Sequence, residues 1–413
     1  MDSKTLTFLR LMGLYQILDP NTVKIYGYNI HHIVIMIFVS FLFVVSMLFP
    51  IGLIYLRNDI TAFLYYGGCL SNFMLSCFKI FKVMYCSKDI WKFIDVTRYY
   101  LNTYKHYNIN VLKNWDTRSI RAIYIYIMIW LIGFISWFSS PYILNEYTVK
   151  IRNIDGSYSN YRVNIFNIYL IASDETYNMH FYIFYIIEII IHFCYVYSSV
   201  VSDIIIILIS FEINSRMEII CIACGSLNYN ICPKEGLSDS NVIKLKKRYD
   251  VIYDDLKILI MDHKTVIRKL QDYYAIFRPV ILVQIFIASS SHIVIWFVAV
   301  MGFVKGDLGS SILSIKLFTV HPLVSFQLFV MCYLFGSMNE KKDSIIFALY
   351  SSNWTEMDMK CKKLILLAMK MISSNNLKLK FTSTKIVDKE MFTHTMSFCY
   401  SIFSTLVNYN KTN

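Results

Sequence analysis

The sequence predicts an all-α integral membrane protein with seven transmembrane helices, and three observations predict it. Apolar residues make up 56% of the 413 positions, above the roughly 45–50% of soluble proteins. Charged residues make up only 16%, and most of them lie between long apolar runs. Seven of these runs approach or exceed the ~20 residues that an apolar helix needs to cross the hydrocarbon of a bilayer. A soluble multidomain protein is therefore excluded.

The seven predicted spans follow from scanning the chain for segments that are poor in Asp, Glu, Lys and Arg. They are Ile25–Leu56, Ile60–Phe78, Ala122–Asn145, Phe181–Phe211, Pro279–Val304, Leu317–Asn339 and Met391–Asn410. The first run is far longer than the apolar core of a signal peptide, so we expect it to remain as a membrane helix. An odd number of spans places the two termini on opposite sides of the membrane.

The distribution of basic residues predicts the orientation. If the N-terminus is cytosolic, the inner segments hold 33 Lys and Arg and the outer segments hold 7. Because cytoplasmic loops carry the excess of Lys and Arg, this split predicts a cytosolic N-terminus and an extracellular C-terminus. A G-protein-coupled receptor would have the opposite orientation. The net charge of +12 thus reflects the topology. No nucleic-acid partner is expected, because a nucleic-acid-binding protein carries its basic residues on a soluble domain.

This orientation divides the chain into five regions. Residues 1–211 hold spans one to four, 279–339 hold spans five and six, and 391–413 hold the last span. The two longest inner segments, 212–278 and 340–390, are predicted to form a cytosolic anchor into which long helices project.

The anchor segment 212–278 contains an apolar heptad stripe. Its members recur at alternating spacings of three and four: Val242, Leu245, Tyr249, Ile252, Leu256, Leu259, His263, Val266, Leu270 and Tyr273. Such a pattern predicts a long helix whose stripe needs a partner. The partner is either another part of the same chain or a neighbouring subunit, and we favour the neighbouring subunit.

Ionisable residues interrupt the fourth predicted span. Glu188 and His192 lie four residues apart and share a helix face, while Asp203 lies nearer the inner end. A carboxylate in hydrocarbon is costly unless it has a partner or contacts water. Glu188 beside His192 therefore predicts either a polar spot in an apolar cavity or a structural pair between helices.

Aromatic side chains are concentrated in the predicted outer halves of the spans. Spans two to six carry Tyr65, Tyr66, Phe73, Phe134, Trp137, Phe138, Phe181, Tyr182, Phe184, Tyr185, Trp296, Phe318 and Phe326. An aromatic cavity with few polar groups suits a small volatile ligand, although aromatic residues also gather at membrane interfaces.

The outer loop between spans three and four, 146–180, is predicted to form either a short hairpin that covers this region or an irregular surface loop. Asp155 and Gly156 form a turn signal between two segments rich in Tyr, Val and Ile.

Signatures of catalysis and metal binding are weak. Cys221 and Cys224 form a Cys-x-x-Cys pair, but no second pair lies at zinc spacing. No Gly-rich phosphate loop, His-Glu-x-x-His or Gly-x-Ser-x-Gly motif is present. We therefore expect no enzyme activity, no catalytic residue, no metal site and no cofactor.

The C-terminal third carries a recognisable series of segments. They are Tyr350-Ser-Ser-Asn-Trp354, the basic and apolar run from Lys362 to Lys370, Lys380-Phe-Thr-Ser-Thr, and a last span with Phe392 to Phe398 and Tyr400-Ser-Ile-Phe403-Ser-Thr-Leu406. In this order, and with seven spans and a cytosolic N-terminus, the chain resembles the insect odorant receptor family.

The resemblance implies a subunit of a tetrameric, ligand-gated, non-selective cation channel in the dendrite membrane of olfactory sensory neurons. In this family a tuning subunit assembles with a shared odorant receptor co-receptor through the cytosolic anchor. The second cytosolic loop lacks the long insertion of the co-receptor subtype, so the chain resembles a tuning subunit. The partners implied are the co-receptor in a heterotetramer, a small volatile odorant, membrane lipid and conducted cations.

The resemblance also implies the positions of two sites. The last helix lines the pore, where Ser401, Thr405, Asn408 and Tyr409 are the candidates near the outer constriction. The odorant pocket lies among helices two to six, and Gly133 and Trp137 match a small-residue and Trp arrangement of the family. Their neighbours on helix faces complete the candidate ligand-binding set: Phe73, Phe134, Tyr185, Glu188 and Trp296.

Two alternatives stay open at this point. A homomeric channel of the gustatory receptor type would share the topology, but its Thr-Tyr-x-x-x-x-x-Gln-Phe-like motif is absent from the last span. A membrane transporter, which belongs to a different class, would favour repeated spans interrupted by Gly or Pro, and no such pair is present.

Overall fold

The structure is a computed structural model, and it describes residues 10, 12–25, 28–55, 57, 60–97, 109–144, 147–152, 156–168, 172–228, 239–305, 308–375, 377–382 and 384–412. Its elements are, in order, α1 (Leu14–Leu18), β1 (Lys24–Ile25), β2 (Tyr28–Asn29), α2 (Ile30–Ser46), α3 (Leu48–Tyr55), α4 (Ile60–Tyr85), α5 (Ser87–Thr97), α6 (Ile109–Ile143), β3 (Thr148–Arg152), β4 (Tyr158–Arg162), α7 (Asp174–Met179), α8 (Phe181–Gly225), α9 (Asp239–Lys305), α10 (Leu308–Ser351), a 3₁₀ turn (Trp354–Glu356), α11 (Met359–Ser373) and α12 (Lys389–Thr412).

Most of the predicted spans lie in helices that are able to cross a bilayer. Within the described ranges, five helical stretches are long and apolar enough: Ile30–Ile54, Asn110–Ile143, Phe181–Gly225, Tyr249–Met301 and Lys316–Ser351. A sixth candidate is α4 with the start of α5, bent by 69°. The seventh predicted span forms the helix α12, but Ser, Thr, Asn and His side chains make it less apolar than the other six. The predicted all-α membrane fold is confirmed, and the orientation of the termini stays a prediction.

Helix α8 lies at the centre of the bundle. It contacts α4, α6, α9 and α10, and every side chain from Ser198 to Ile207 is buried. A helix segment that is apolar on all its faces is stable where other helices or lipid cover it. Around Ile204–Ile207, the Ile-rich part of the fourth predicted span, other helices provide this cover.

Three helices are much longer than a bilayer requires. Helix α9 has 67 residues, about 100 Å at 1.5 Å per residue, so the fifth span and the predicted anchor helix form one continuous element. Helices α8 and α10 also extend beyond their predicted spans, and α11 packs against α9 and α10. We call this extension the anchor end of the bundle, and the opposite end, which carries β3 and β4, the hairpin end.

The apolar stripe of α9 is covered by the same chain. The buried members of the stripe are Ile252, Leu256, Leu259, Val266, Leu270 and Tyr273. The Tyr249 hydroxyl donates to the backbone oxygen of Glu356 at 3.0 Å, and the Tyr273 ring lies 5.9 Å from Phe335 of α10.

The prediction that a neighbouring subunit covers these residues is therefore wrong. Helices α8 and α10 continue alongside α9 beyond their predicted spans, and α11 packs against α9 and α10. The side chains of Val242 and Leu245 lie outside the part that the structure describes.

The loop between α6 and α8 contains the predicted hairpin. Strands β3 and β4 are antiparallel, with Thr148 opposite Arg162 and Arg152 opposite Tyr158. Gly156 has a φ of 83°, a left-handed conformation that favours glycine, while Asp155 lies outside the described residues. After β4 the chain enters the bundle as Val163–Ile168, six consecutive buried residues that we call the strap.

Candidate ligand-binding cavity

A cavity lies between α4, α6, α8, α9 and α10 near the hairpin end. The centre of a water-sized sphere can reach about 100 Å³ of it, several times the roughly 10–15 Å³ that one water needs. Its walls are mainly aromatic and aliphatic, as in most small-molecule sites. The lining residues are Tyr65, Gly68, Cys69, Asn72, Phe73, Trp130, Gly133, Phe134, Trp137, Phe166, His192, Tyr195, Val196, Ser291, Val294, Ile295, Leu317, Val320, Leu323, Val324 and Gln327.

Four of the seven residues that the sequence proposes for ligand binding line this cavity. Phe73 packs on Tyr195 with ring centroids 4.9 Å apart. The Trp137 indole N–H donates to the Thr319 hydroxyl at 3.0 Å, so the ring is held in a fixed orientation. Gly133 and Phe134 complete this side of the cavity.

Gly133 allows α10 to approach α6 closely. A Cβ at this position would overlap the Leu323 Cδ1 methyl group and lie 3.0 Å from its Cγ. Because Leu323 also lines the cavity, the absence of a side chain at Gly133 determines how far Leu323 withdraws from the space available to a ligand.

The carboxylate of Glu188 holds the strap and does not line the cavity. Its two oxygens accept hydrogen bonds from three consecutive backbone N–H groups, those of Phe166 at 2.6 Å, Asn167 at 3.2 Å and Ile168 at 2.7 Å. Buried backbone groups need such partners, and among the described residues no strand pairs with the strap to supply them. Glu188 thereby places the Phe166 ring in the cavity wall.

Three backbone carbonyl groups of the strap accept hydrogen bonds from side chains of α4 and α10. The Lys316 ammonium group of α10 donates to the Asn164 oxygen and to the Asn167 side-chain oxygen, the latter at 3.3 Å. The Tyr65 and Tyr66 hydroxyls of α4 donate to the oxygens of Ile165 and Asn167. The strap is thus fixed between α4, α8 and α10.

His192 lies inside the aromatic wall. Its ring is parallel to Phe134, with an interplanar angle of 4° and centroids 4.9 Å apart. The Trp137 and Phe166 rings lie 5.8 and 5.5 Å away. Glu188, one turn earlier, bonds the strap rather than this imidazole, so the two residues do not form the structural pair that their spacing allowed.

Tyr185 and Trp296, the other two proposed ligand-binding residues, lie outside the cavity. The Tyr185 hydroxyl donates to the Phe138 oxygen at 2.8 Å and so joins α8 to α6. Trp296 contacts His321 of α10 at 5.1 Å and Phe403 of α12 at 4.7 Å between ring centroids. It therefore connects the helices around the cavity to the last helix.

A buried polar cluster lies beneath the cavity. Asp203 accepts from the Lys79 ammonium at 2.8 Å, the Tyr126 hydroxyl at 2.5 Å and the Gln327 amide at 2.7 Å. We call these four residues the Asp203 cluster, and they come from α8, α4, α6 and α10. Gln327 also lines the cavity, so the cluster forms part of its floor.

The proposed pore residues share one face of α12. Ser401, Thr405 and Asn408 are exposed in the single chain, and their spacing of four and three residues places them along one stripe. Phe403 faces Trp296 instead. The backbone of Tyr409 belongs to α12, and its side chain lies outside the described part.

Several lining residues were not predicted from the sequence. Phe166 belongs to the strap, Asn72 to α4, Ser291 to α9 and Gln327 to α10. Their positions depend on packing between segments far apart in the chain. His192 gave the one usable signal, because a histidine in a membrane span is rare and marks functional positions. In the described ranges, no three His, Cys, Asp or Glu side chains are grouped so as to hold a metal ion.

Comparisons with known proteins agree with this geometry. The model of the 7tm odorant receptor family matches residues 58–400. The fold is similar to the insect olfactory receptor OR5 from Machilis hrabei, with a TM-score of 0.73, 13% identity and 98% of both chains covered. The same receptor in complex with eugenol gives a TM-score of 0.72 at 12% identity, covering 98% of this chain and 96% of that one. No curated protein sequence matches.

The family match covers most of the chain, and it is a match to receptors, not to enzymes. The membrane-capable helices and the cavity between them are what such a receptor requires. The chain therefore belongs to the 7tm odorant receptor family and is a multi-pass membrane protein of the odorant receptor type.

Proposed function

We propose that this protein is the odorant-tuning subunit of a ligand-gated, non-selective cation channel that forms a heterotetramer with the odorant receptor co-receptor. A small volatile odorant binds in the cavity, and binding opens a central pore. The observation that carries this proposal is the aromatic cavity lined by five helices and the strap. One of these helices, α9, also contacts the last helix through Trp296.

The cavity suits a compact apolar ligand. Phe73, Phe134 and Trp137 offer broad aromatic surfaces, and Gly133 leaves room beside them. Aromatic rings contribute large contact areas at little conformational cost. The Machilis hrabei receptor of similar fold was solved in complex with eugenol, which supports a small organic molecule as the ligand. Tyr185 and Glu188 act indirectly, by fixing α6 and the strap.

The path from cavity to pore runs through α9 and α10. A ligand beside Leu317 and Ile295 displaces these two helices relative to each other. Trp296, which contacts Phe403, transmits the displacement to α12, and the outer ends of the four last helices separate. The ligand shifts gating only by the difference between its affinities for the closed and open states.

The pore stripe of α12 comprises Ser401, Thr405, Asn408 and Tyr409. Polar side chains at a constriction provide partial hydration for a passing cation. Helix α12 is less apolar than the other spans because a pore helix contacts water on one face. The N-terminus and the anchor end lie in the cytosol. The protein itself is located in the dendrite membrane of olfactory sensory neurons.

Patch-clamp recording tests the channel function. Cells that express this chain with the co-receptor should give odorant-evoked currents through a pore that is permeable to both Na⁺ and K⁺, and cells that express this chain alone should give none. Currents without the co-receptor would favour the homomeric gustatory-type channel. Odorant-dependent uptake without any current would favour a transporter. If cells with both chains never respond across a broad odorant panel, the proposal fails.

Trp137→Ala tests the site. Removal of the indole should raise the half-maximal odorant concentration about tenfold or more, because it removes a large contact surface and the bond to Thr319. Tyr182→Ala is the control, since Tyr182 is an exposed aromatic residue on α8 and should leave odorant sensitivity unchanged. Equal effects of the two substitutions would exclude the cavity as the binding site.

A further inference from the structure

The cavity contains one polar side chain whose hydrogen-bonding capacity is unused. His192 is 5% exposed, and neither ring nitrogen has a hydrogen-bond partner among the described residues. Buried polar atoms in native proteins nearly always have a partner, and leaving one unsatisfied is costly. An unsatisfied imidazole in a cavity wall therefore points to a partner that comes from outside the chain.

The other polar groups of the wall differ from His192 in this respect. Asn72 donates to the Gly68 oxygen at 2.8 Å, the Trp137 N–H to Thr319 and the Gln327 amide to Asp203. Of the side chains that line the cavity, His192 is the one with buried and unpartnered polar atoms within the described chain. Glu188, the nearest carboxylate on the same helix face, is fully engaged with the strap.

The packing around His192 fixes the direction in which it can bond. Phe134 covers one face of the imidazole in a parallel stack, and Trp137 is also nearly parallel at 17°. The two nitrogens lie at the edge of the ring, so a hydrogen bond to either of them forms in the ring plane. Within the described ranges no charged side chain hydrogen-bonds to the ring, so a charged ligand that binds beside it would lose its hydration without compensation.

We propose that His192 is the polar anchor of the odorant, and that the ligand is a compact apolar molecule with one oxygen function, a hydroxyl or a carbonyl, rather than a hydrocarbon. This inference rests on the proposed function. A neutral imidazole has one N–H donor and one acceptor nitrogen. A ligand hydroxyl can satisfy either nitrogen and a carbonyl only the donor, so hydroxyl compounds bind best. When no ligand is bound, a water molecule can hydrogen-bond to the imidazole, and the ligand oxygen replaces this water.

Isosteric ligand pairs test this inference. We would record odorant currents from cells with this chain and the co-receptor, using a panel of pairs in which a hydroxyl replaces a methyl group, such as 1-phenylethanol and cumene. A second series pairs a carbonyl with an alkene, such as acetophenone and α-methylstyrene. In each active pair the oxygenated member should be roughly tenfold more potent, the effect of one buried hydrogen bond.

Substitution at His192 assigns the preference to this residue. His192→Phe should lose the roughly tenfold preference while hydrocarbon potency is kept, because phenylalanine can stack on Phe134 but cannot hydrogen-bond. His192→Gln restores a donor and an acceptor and should retain most of the preference. His180→Phe, an exposed position just before α8, is the control and should respond like the wild type.

The outcomes separate the inference from the proposed function. Equal potency within the pairs in the wild type, or the same loss for both members in His192→Phe, would overturn the role of His192 and leave the channel intact. Absence of current from every compound would overturn the proposed function itself. If His192→Phe does not reach the cell surface, His192→Leu, which also lacks a hydrogen-bonding group, takes its place in the same comparison within pairs.

Discussion

Two buried polar groups on α8 have opposite surroundings. Asp203 receives three hydrogen bonds from three other helices, whereas His192, eleven residues earlier, has no partner among the described residues. At 1.5 Å per residue the two lie about 16 Å apart along the same helix. A satisfied polar group stabilises one packing of the helices, and an unsatisfied one in a cavity provides a place for a ligand. The first therefore supports the fold and the second supports recognition.

The packing is dense around Asp203 and open around His192. Next to Asp203, Ser199 and Ser76 share a hydrogen bond of 2.6 Å, and all three residues are buried. Around His192 the side chains are aromatic and enclose open space. Gln327 belongs to both regions, because it donates to Asp203 and lines the cavity. A ligand that moves Gln327 would disturb the cluster that joins four helices.

Asp203→Ala should give the largest effect. It removes one partner of a buried ion pair and leaves the Lys79 ammonium uncompensated, which costs about 3–5 kcal/mol of the free energy of unfolding. We expect a much lower melting temperature of the detergent-solubilised receptor. The double substitution Lys79→Met with Asp203→Leu should recover part of the loss, because it removes both charges, while the Tyr126 hydroxyl and the Gln327 amide still lack their acceptor.

The matched substitution at the other group sharpens the comparison. His192→Leu should leave the melting temperature unchanged or raise it, since it removes a group that the protein itself does not satisfy. A destabilisation by His192→Leu as large as that by Asp203→Ala would mean that the imidazole stabilises the fold. The distinction between the two regions would then be lost.

The sequence predicted the helices and the cost of buried charges, but not their partners. Long apolar runs encode the spans, and the spacing in α9 encodes its stripe. Neither pattern indicates what covers a helix face, which is why the predicted partner of the stripe, a neighbouring subunit, is wrong. Asp203 and Lys79 are 124 positions apart, and no local period relates them. Such pairing arises only when the helices pack together.

The cavity shows the same limit. Phe73, Gly133, Phe134 and Trp137 lie on helices whose spacing is readable from the sequence, and the structure brings them together. The strap is irregular, and its conformation depends on bonds from Glu188 and Lys316. An irregular segment has no period in its sequence, so Phe166 could not be foreseen.

Glu188→Ala should have the second largest effect, and it acts on the cavity region alone. Three backbone N–H groups of the strap lose their acceptor, and each buried unsatisfied group costs about 1–3 kcal/mol unless the strap moves to meet water. We expect faster hydrogen exchange at 163–168 and a sensitivity to every ligand that falls about tenfold or more. Glu188→Gln, which keeps one acceptor oxygen, should be intermediate, and Glu175→Ala in the exposed start of α7 should have no effect. Normal exchange in Glu188→Ala would contradict the role given to the carboxylate.

Gly133→Ala should change selectivity more than sensitivity. The new methyl group meets the end of the Leu323 side chain, which is flexible enough to rotate into the cavity. Larger odorants should lose potency several-fold while small ones change little, because about one methyl volume is removed from the site. Gly67→Ala is the control, since nothing lies within 4 Å of a Cβ there. A uniform loss for all ligand sizes would indicate a displaced helix instead.

The smallest effect is expected from an ion pair of the same chemistry as Lys79 and Asp203 but at the surface. Lys257 and Asp254 lie 3.5 Å apart on α9, with side chains 52% and 71% exposed. Water solvates both charges before and after the substitution, and salt screens their attraction, so Asp254→Ala should lower the free energy of unfolding by about 0.5 kcal/mol or less. The melting temperature should be within error of the wild type at physiological salt. A loss that approaches that of Asp203→Ala would show that burial is not what makes the Asp203 cluster strong, because burial is the main property in which the two ion pairs differ.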